Sequence, residues 1–117
     1  MAGSERLICT SGEVQEGGDG VRFPLRTAFG DETGFVVRYR GEVRAYINRC
    51  AHVPVELDWQ PGKFFDDSGL YLICATHGAL YDPVGGHCLA GPCRGGRLPK
   101  LDVIERDGHI YLLEKTA

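Results

Sequence analysis

Apolar and polar positions along this chain follow a short rhythm. RLICT (6–10), VRFPLRT (21–27), GFVVRYR (34–40), VRAYIN (43–48), LYLIC (70–74) and HIYLL (109–113) are rich in β-branched and aromatic residues. Several alternate in polarity, as half-buried strands do. In RYRGEVRAY, Arg-Gly-Glu separates two such runs and predicts a hairpin turn. In KLDVIERDGHIYLLE, Asp107-Gly108 is a stronger signal, because both central residues of a tight hairpin turn need positive φ. No window of helical length keeps a clean helical period. The pattern predicts a mostly β chain.

Residues 49–99 break the rhythm. They are richer in Gly, Pro, Cys and His than their flanks, and QPGKFFDDSG (60–69) reads as a turn-rich excursion within them. We expect a single domain over 1–117, with a scaffold from about 1–48 and 100–117 and a loop-rich insertion at about 49–99. Chemistry is expected on the insertion, because loops on a rigid scaffold carry binding residues disproportionately.

Composition narrows the classes of function. For a chain of 117 residues one modest core is expected, and a bound metal group would add to its stability. Thirteen Lys and Arg stand against sixteen Asp and Glu, a net charge of −3, and no basic run is interleaved with aromatics. Nucleic acid is therefore not an expected partner, whereas brief docking on a basic patch of another protein suits the charge. No leader-like or membrane-spanning stretch is evident, so a soluble, cytoplasmic protein is expected, with no membrane contact. Cysteines fall at 9, 50, 74, 88 and 93, an odd count that suits ligands or thiols in a reducing compartment better than a disulfide framework.

Four of the insertion's residues form a pattern. Cys50 and His52 lie in RCAHVPVEL (49–57), and Cys74 and His77 in CATHGALYDP (74–83). Each pair follows a strand-like run, and in each the cysteine comes first. Two loops side by side would set both thiolates at one level and both imidazoles at another. A single tetrahedral zinc is indifferent to that order, and its usual spacing pairs Cys with Cys and His with His. A binuclear cluster with two thiolates on one iron and two imidazoles on the other requires it.

The C-x-H and C-x₂-H pairs, the HGALYDP continuation and Gly91-Pro92 together resemble the Rieske family. The resemblance runs over most of the chain. It implies an all-β Rieske iron-sulfur fold: an antiparallel sandwich or barrel-like scaffold with an inserted cluster-binding subdomain. It also implies a [2Fe-2S] cluster on Cys50, His52, Cys74 and His77, covered by a third loop at Gly91 and Pro92. The resemblance further implies a one-electron carrier without substrate chemistry of its own, a component of an oxidoreductase system. A flavin reductase would be the donor and an oxygenase or similar enzyme the acceptor. An accessory subunit of the nitrite reductase small-subunit type and a zinc-stabilised interaction module are the alternatives.

Departures from the family pattern carry information. Val55 and Thr76 stand where respiratory Rieske proteins place a loop-to-loop disulfide, which therefore cannot form here. Cys88 and Cys93 flank Gly91-Pro92, and both thiol and bridged states are open, with thiols favoured by a reducing compartment. Cys9 is read as core packing and His109 as a partly exposed strand residue. Respiratory Rieske proteins also supply a serine and a tyrosine hydroxyl to the cluster sulfurs. Here the corresponding residues are Ala79 and Tyr81.

Two neutral imidazoles in place of two thiolates make an added electron less costly. Rieske centres accordingly sit at roughly −150 to +300 mV, against about −400 mV for plant-type ferredoxins. With one hydroxyl donor instead of two, redox titration is expected to give a midpoint in the low-to-middle part of that range. The midpoint should fall as pH rises into the alkaline region, as imidazole loses its proton more readily beside an oxidised centre. A midpoint near the top of the range, or one flat across pH, would contradict this.

Overall fold

A computed structural model describes residues 4–27, 30–51, 55–76, 78–93 and 95–114. Among them the chain forms ten strands and one short 3-10 turn at Ser11–Glu13. The strands are β1 (Ser4–Thr10), β2 (Val21–Thr27), β3 (Gly30–Tyr39), β4 (Glu42–Ile47), β5 (Leu72–Ile73), β6 (Leu80–Tyr81), β7 (Cys88–Ala90), β8 (Lys100–Leu101), β9 (Val103–Arg106) and β10 (His109–Glu114). They make three sheets, ordered β1-β10-β9, β2-β3-β4-β8 and β5-β6-β7, and every strand pairing is antiparallel. The fold is all-β, as expected. No helix among the described residues is long and apolar enough to cross a membrane.

Both predicted hairpins form. Arg40 and Gly41 have φ of 54° and 79°, and Asp107 and Gly108 have 53° and 77°. Two consecutive left-handed residues match the right-handed twist of the flanking strands. The first turn is one residue tighter than its sequence suggested, because Glu42 already pairs with Tyr39. Pro24 interrupts the donor pattern of β2, which is tolerated because β2 is the edge of its sheet. Its carbonyl accepts a hydrogen bond from Arg6 of β1.

The four-stranded sheet lies between two cores, not the single core expected from length, because it buries apolar side chains on both faces. On one face, Phe23, Val36 and Ala45 pack with Cys9, Val14, Ile110 and Leu112 from the first sheet and its neighbouring loop. On the other, Phe35, Val37 and Tyr46 pack with Cys50, Leu57, Phe64, Leu72, Cys74 and Tyr81. Consecutive side chains of a strand point to opposite faces, so the run Phe35-Val36-Val37 serves both cores. Phe64, from the turn-rich excursion, stacks on Phe35 with ring centroids 3.9 Å apart and planes 8° from parallel. The third sheet is built wholly from residues 72–90 and rests on this second core.

LYLIC gives only the two-residue β5, β6 falls in the strand-like end of CATHGALYDP, KLDVIER divides into β8 and β9, and β7 alone lies where no strand was expected. Cys9 is buried in the first core and His109 is half-buried on β10, both as expected. The preference for free thiols at Cys88 and Cys93 is corrected. The two are joined by a disulfide, because the turn through Gly91 and Pro92 brings their Cα atoms to 5.5 Å.

Arg38 pins the first sheet to the middle one. Its guanidinium grips both carboxylate oxygens of Glu105 at 2.9 and 2.6 Å, and its Nε donates to the Val14 carbonyl at 2.8 Å. The Arg38 hydrogen bonds hold the Glu105 carboxyl down at about 2, well below its ordinary 4.5. A carboxyl depressed in the folded state adds stability above its unfolded value and loses it as pH falls toward its folded value. Denaturant unfolding should therefore show this contribution intact above about pH 5 and fading toward pH 2. Glu105→Gln should lower stability at pH 7 and flatten part of the acid limb; an unchanged acid limb would refute the assignment.

Candidate metal centre

Three loops meet at one end of the second core. The first, 48–57, leaves β4 and is fixed by a buried polar pair. Asn48 donates its backbone N–H to the Thr33 carbonyl (2.7 Å) and its side-chain amide to Asp58 (2.8 Å), while its side-chain oxygen accepts from the Leu57 N–H (2.8 Å). Asp58 also accepts from the Gly62 N–H at 2.9 Å and faces Arg22 at 3.6 Å. Arg22 in turn grips both oxygens of Glu56 at 2.8 and 2.9 Å. Buried polar groups are costly unless satisfied, and here satisfaction fixes where the loop starts and ends. Within it, the Cys50 N–H reaches back to the Val55 carbonyl at 2.8 Å.

The second loop closes tightly on itself and on the first. Cys74 donates its N–H to the Ala79 carbonyl (2.9 Å) and accepts from the Gly78 N–H (2.8 Å). The Ala75 N–H donates to the Leu57 carbonyl at 2.9 Å, a direct backbone tie between the two loops. Cys74 and Ala79 are fully buried and Cys50 nearly so. Neither Cys50 nor Cys74 is in a disulfide.

Tyr81, on β6, joins the set from below. Its hydroxyl oxygen lies 3.2 Å from the Cys50 sulfur and accepts the Ala51 N–H at 2.9 Å. With that lone pair taken, the hydroxyl proton is available to the sulfur. Burial first, then the Cys50 contact, pushes the phenol well above its ordinary value, so it remains a donor. The sequence suggested the contact to sulfur but not the bond from Ala51.

The third loop, 88–98, packs on both others. A side-chain carbon on Gly91 would come within 3.0 Å of the Ala79 Cα, and one on Gly96 within 2.8 Å of the Ala51 side chain. Both approaches require glycine, and Gly91 also has φ of 90°. Pro92 is exposed at the loop's tip and Cys93 is buried in the second core. Below the loop, the Tyr46 hydroxyl donates to the Pro83 carbonyl at 2.6 Å.

The geometry thus brings Cys50, Cys74, Tyr81 and Gly91 to one place. His52 and His77 lie outside the described residues. Sequence reasoning missed Asn48, Asp58 and Tyr46, and disfavoured the Cys88–Cys93 bridge. Only Asn48, a polar residue ending a strand-like run, left a readable sign.

A family model for the Rieske [2Fe-2S] domain matches residues 4–105. The chain belongs to the Rieske [2Fe-2S] domain family. Solved Rieske structures agree in fold. The ferredoxin of carbazole 1,9a-dioxygenase from Nocardioides aromaticivorans IC177 is 23% identical, with 96% of this chain covering 99% of that one at a TM-score of 0.71. The ferredoxin of Sphingomonas yanoikuyae B1 is 22% identical, with 97% of this chain covering all of that one (100%) at 0.75. The terminal oxygenase of the Nocardioides dioxygenase is 20% identical over 99% of this chain but only 31% of its own, also at 0.75. Comparison with curated protein sequences gives no match.

The donor set fits the cofactor the family implies. Two thiol sulfurs, soft donors, lie on adjoining loops, outside any disulfide and shielded from water, with a hydroxyl against one of them. Tyr81→Phe removes that hydroxyl and leaves the Ala51 N–H without its partner. At about 1–2 kcal/mol for the lost hydrogen bond, the midpoint should drop by roughly 40–90 mV in redox titration, with the visible spectrum retained. An unchanged midpoint would mean that the hydroxyl serves packing alone.

Proposed function

We propose that this protein is a one-electron carrier that receives an electron from a flavin reductase and delivers it to an oxygenase or a related enzyme. Cys50 and Cys74 would hold one iron of a [2Fe-2S] cluster and His52 and His77 the other. The observation that carries the reading is the convergence of two buried thiols and the Tyr81 hydroxyl beneath three interlocked loops. When bound, the cluster supplies a site that gains and loses a single electron.

The rest is the work of this chain's residues. Cys50 and Cys74 present sulfurs on backbone that the Cys50–Val55, Cys74–Ala79 and Ala75–Leu57 hydrogen bonds hold still. A rigid ligand frame changes little between oxidation states, which keeps the reorganisation accompanying transfer small. Tyr81 stabilises negative charge at the Cys50 sulfur by donating to it. Ala79 can offer no such bond, so the support is one-sided. Gly91 and Gly96 let the third loop close over the sulfurs and keep water from them. The ferredoxin–oxygenase pairing has a precedent of similar fold, a complex of oxygenase and ferredoxin in carbazole 1,9a-dioxygenase, whose matched chain is 19% identical to this one.

Aerobically purified protein should be red-brown and carry about two irons and two acid-labile sulfides per chain. On reduction it should give an EPR signal whose average g lies below the free-electron value. Cys50→Ala and Cys74→Ala should each abolish colour and signal. A colourless wild type holding one zinc per chain would defeat the proposal in favour of a structural zinc module.

A further inference from the structure

Trp59 is the chain's single tryptophan, and 85% of its surface is exposed. It forms the wall between two hollows. The larger, about 790 Å³, is lined by Trp59, Pro61, Phe65 and Ile73 with Asp66 and Asp67 at its rim. The smaller, about 420 Å³, lies among Glu56, Trp59, Ala75 and Thr76. Thr76 is two residues beyond Cys74, so the combined groove runs from the acidic turn up to the second cluster loop. An exposed aromatic flanked by two largely apolar hollows marks a contact surface more than a scattered surface residue does.

The charges around the groove indicate what it would meet. Lys63 is paired with Asp19 at 2.7 Å and Glu56 with Arg22, so neither sets the sign. Asp66 accepts from the Ser68 hydroxyl and N–H. Asp67 is exposed and has no ion pair or hydrogen bond among the described residues. Among the described residues, two carboxylates therefore remain without a cationic partner beside the exposed indole. A lysine or arginine next to an apolar side chain is the complementary shape: the cation can lie over the indole face and pair with Asp67.

We propose that the Trp59 groove seats a basic redox partner protein, gripping a cationic, apolar-centred protrusion so that the partner lies against the loop carrying Cys74. The inference rests on the carrier reading for the identity of the partner, though the groove and its charge do not.

Cytochrome c, a basic haem protein, serves as the probe. Isothermal titration of the cluster-loaded protein with it at low ionic strength measures binding, and stopped-flow oxidation of the reduced protein measures transfer. Trp59→Ala should weaken binding and lower the bimolecular rate constant, each about tenfold, as loss of a central aromatic anchor does. Its visible spectrum and midpoint should stay those of the wild type. Asp67→Asn should cost about threefold and make the salt dependence shallower. Leu7→Ala, at an exposed position on β1, should change nothing. Wild-type binding and rate in Trp59→Ala would overturn the proposal, as would wild-type protein that does not bind cytochrome c. Self-association in sedimentation that Trp59→Ala abolishes would also overturn it, assigning the groove to a second copy of the chain. A colourless protein would sink the carrier reading, and titration would still report on the groove.

Discussion

Burial of β3 on both faces is the constraint from which the rest of this structure follows. Phe35 and Val37 enter one core and Val36 the other, and all three are fully excluded from solvent. At about 1.5–3 kcal/mol for each large side chain buried, these few residues supply a substantial part of the hydrophobic drive of a small domain. They also settle the layer order, since the middle sheet must be covered twice. One cover is the sheet formed by the chain's first and last strands. The other is the loop-rich segment, which has little regular structure of its own and needs an apolar floor to fold against. Phe64 stacked on Phe35 is the point where that segment is anchored.

A floor alone would leave the loops free to slide, since hydrophobic contact is not directional. Direction comes from polar groups that burial leaves no alternative partners. Asn48 and Asp58 span the first loop, bonding to each other and to particular backbone groups on β3, the loop exit and the following turn. The Ala75–Leu57 bond then fixes the second loop from the first. The third is set by close backbone approach at Gly91 and Gly96 and by the Cys88–Cys93 link. Three kinds of constraint thus hold three loops, and the Cys50 and Cys74 sulfurs lie in the core beneath them.

Features that depend on local chemistry were legible in the sequence. Arg40-Gly41 and Asp107-Gly108 announce their hairpins because the turns demand left-handed residues. Strands β2, β4 and β10 are long enough for an apolar pattern to show. The ordered Cys and His pairs carried the family resemblance, and the family is the one the chain belongs to. Features that depend on distance in space were not legible. β7 contains three residues, too few for any period, and exists because β6 pairs with it. Whether Cys88 and Cys93 join depends on how the Gly91-Pro92 turn folds back, and a compartment argument is a poor substitute for that geometry. Asp58 reads as a surface acid until Asn48 and the Gly62 N–H are found around it.

Tyr81 and Ala79 lie two residues apart and differ in what they bring to the Cys sulfurs. Tyr81 is oriented by the Ala51 N–H, which comes from the residue directly after Cys50. Its contact with the Cys50 sulfur is therefore set by the same loop that positions the sulfur. Ala79 has no comparable role and is enclosed on all sides, with Gly91 passing directly over its backbone. Enlarging residue 79 would add atoms beneath a loop tied down by a disulfide, so any electrostatic gain from a hydroxyl there would be set against displacement of the cover. The one-sided hydrogen bonding is thus part of the packing solution. Tyr81 supplies the polarity this site can accommodate, and Ala79 supplies the small side chain that lets the third loop close.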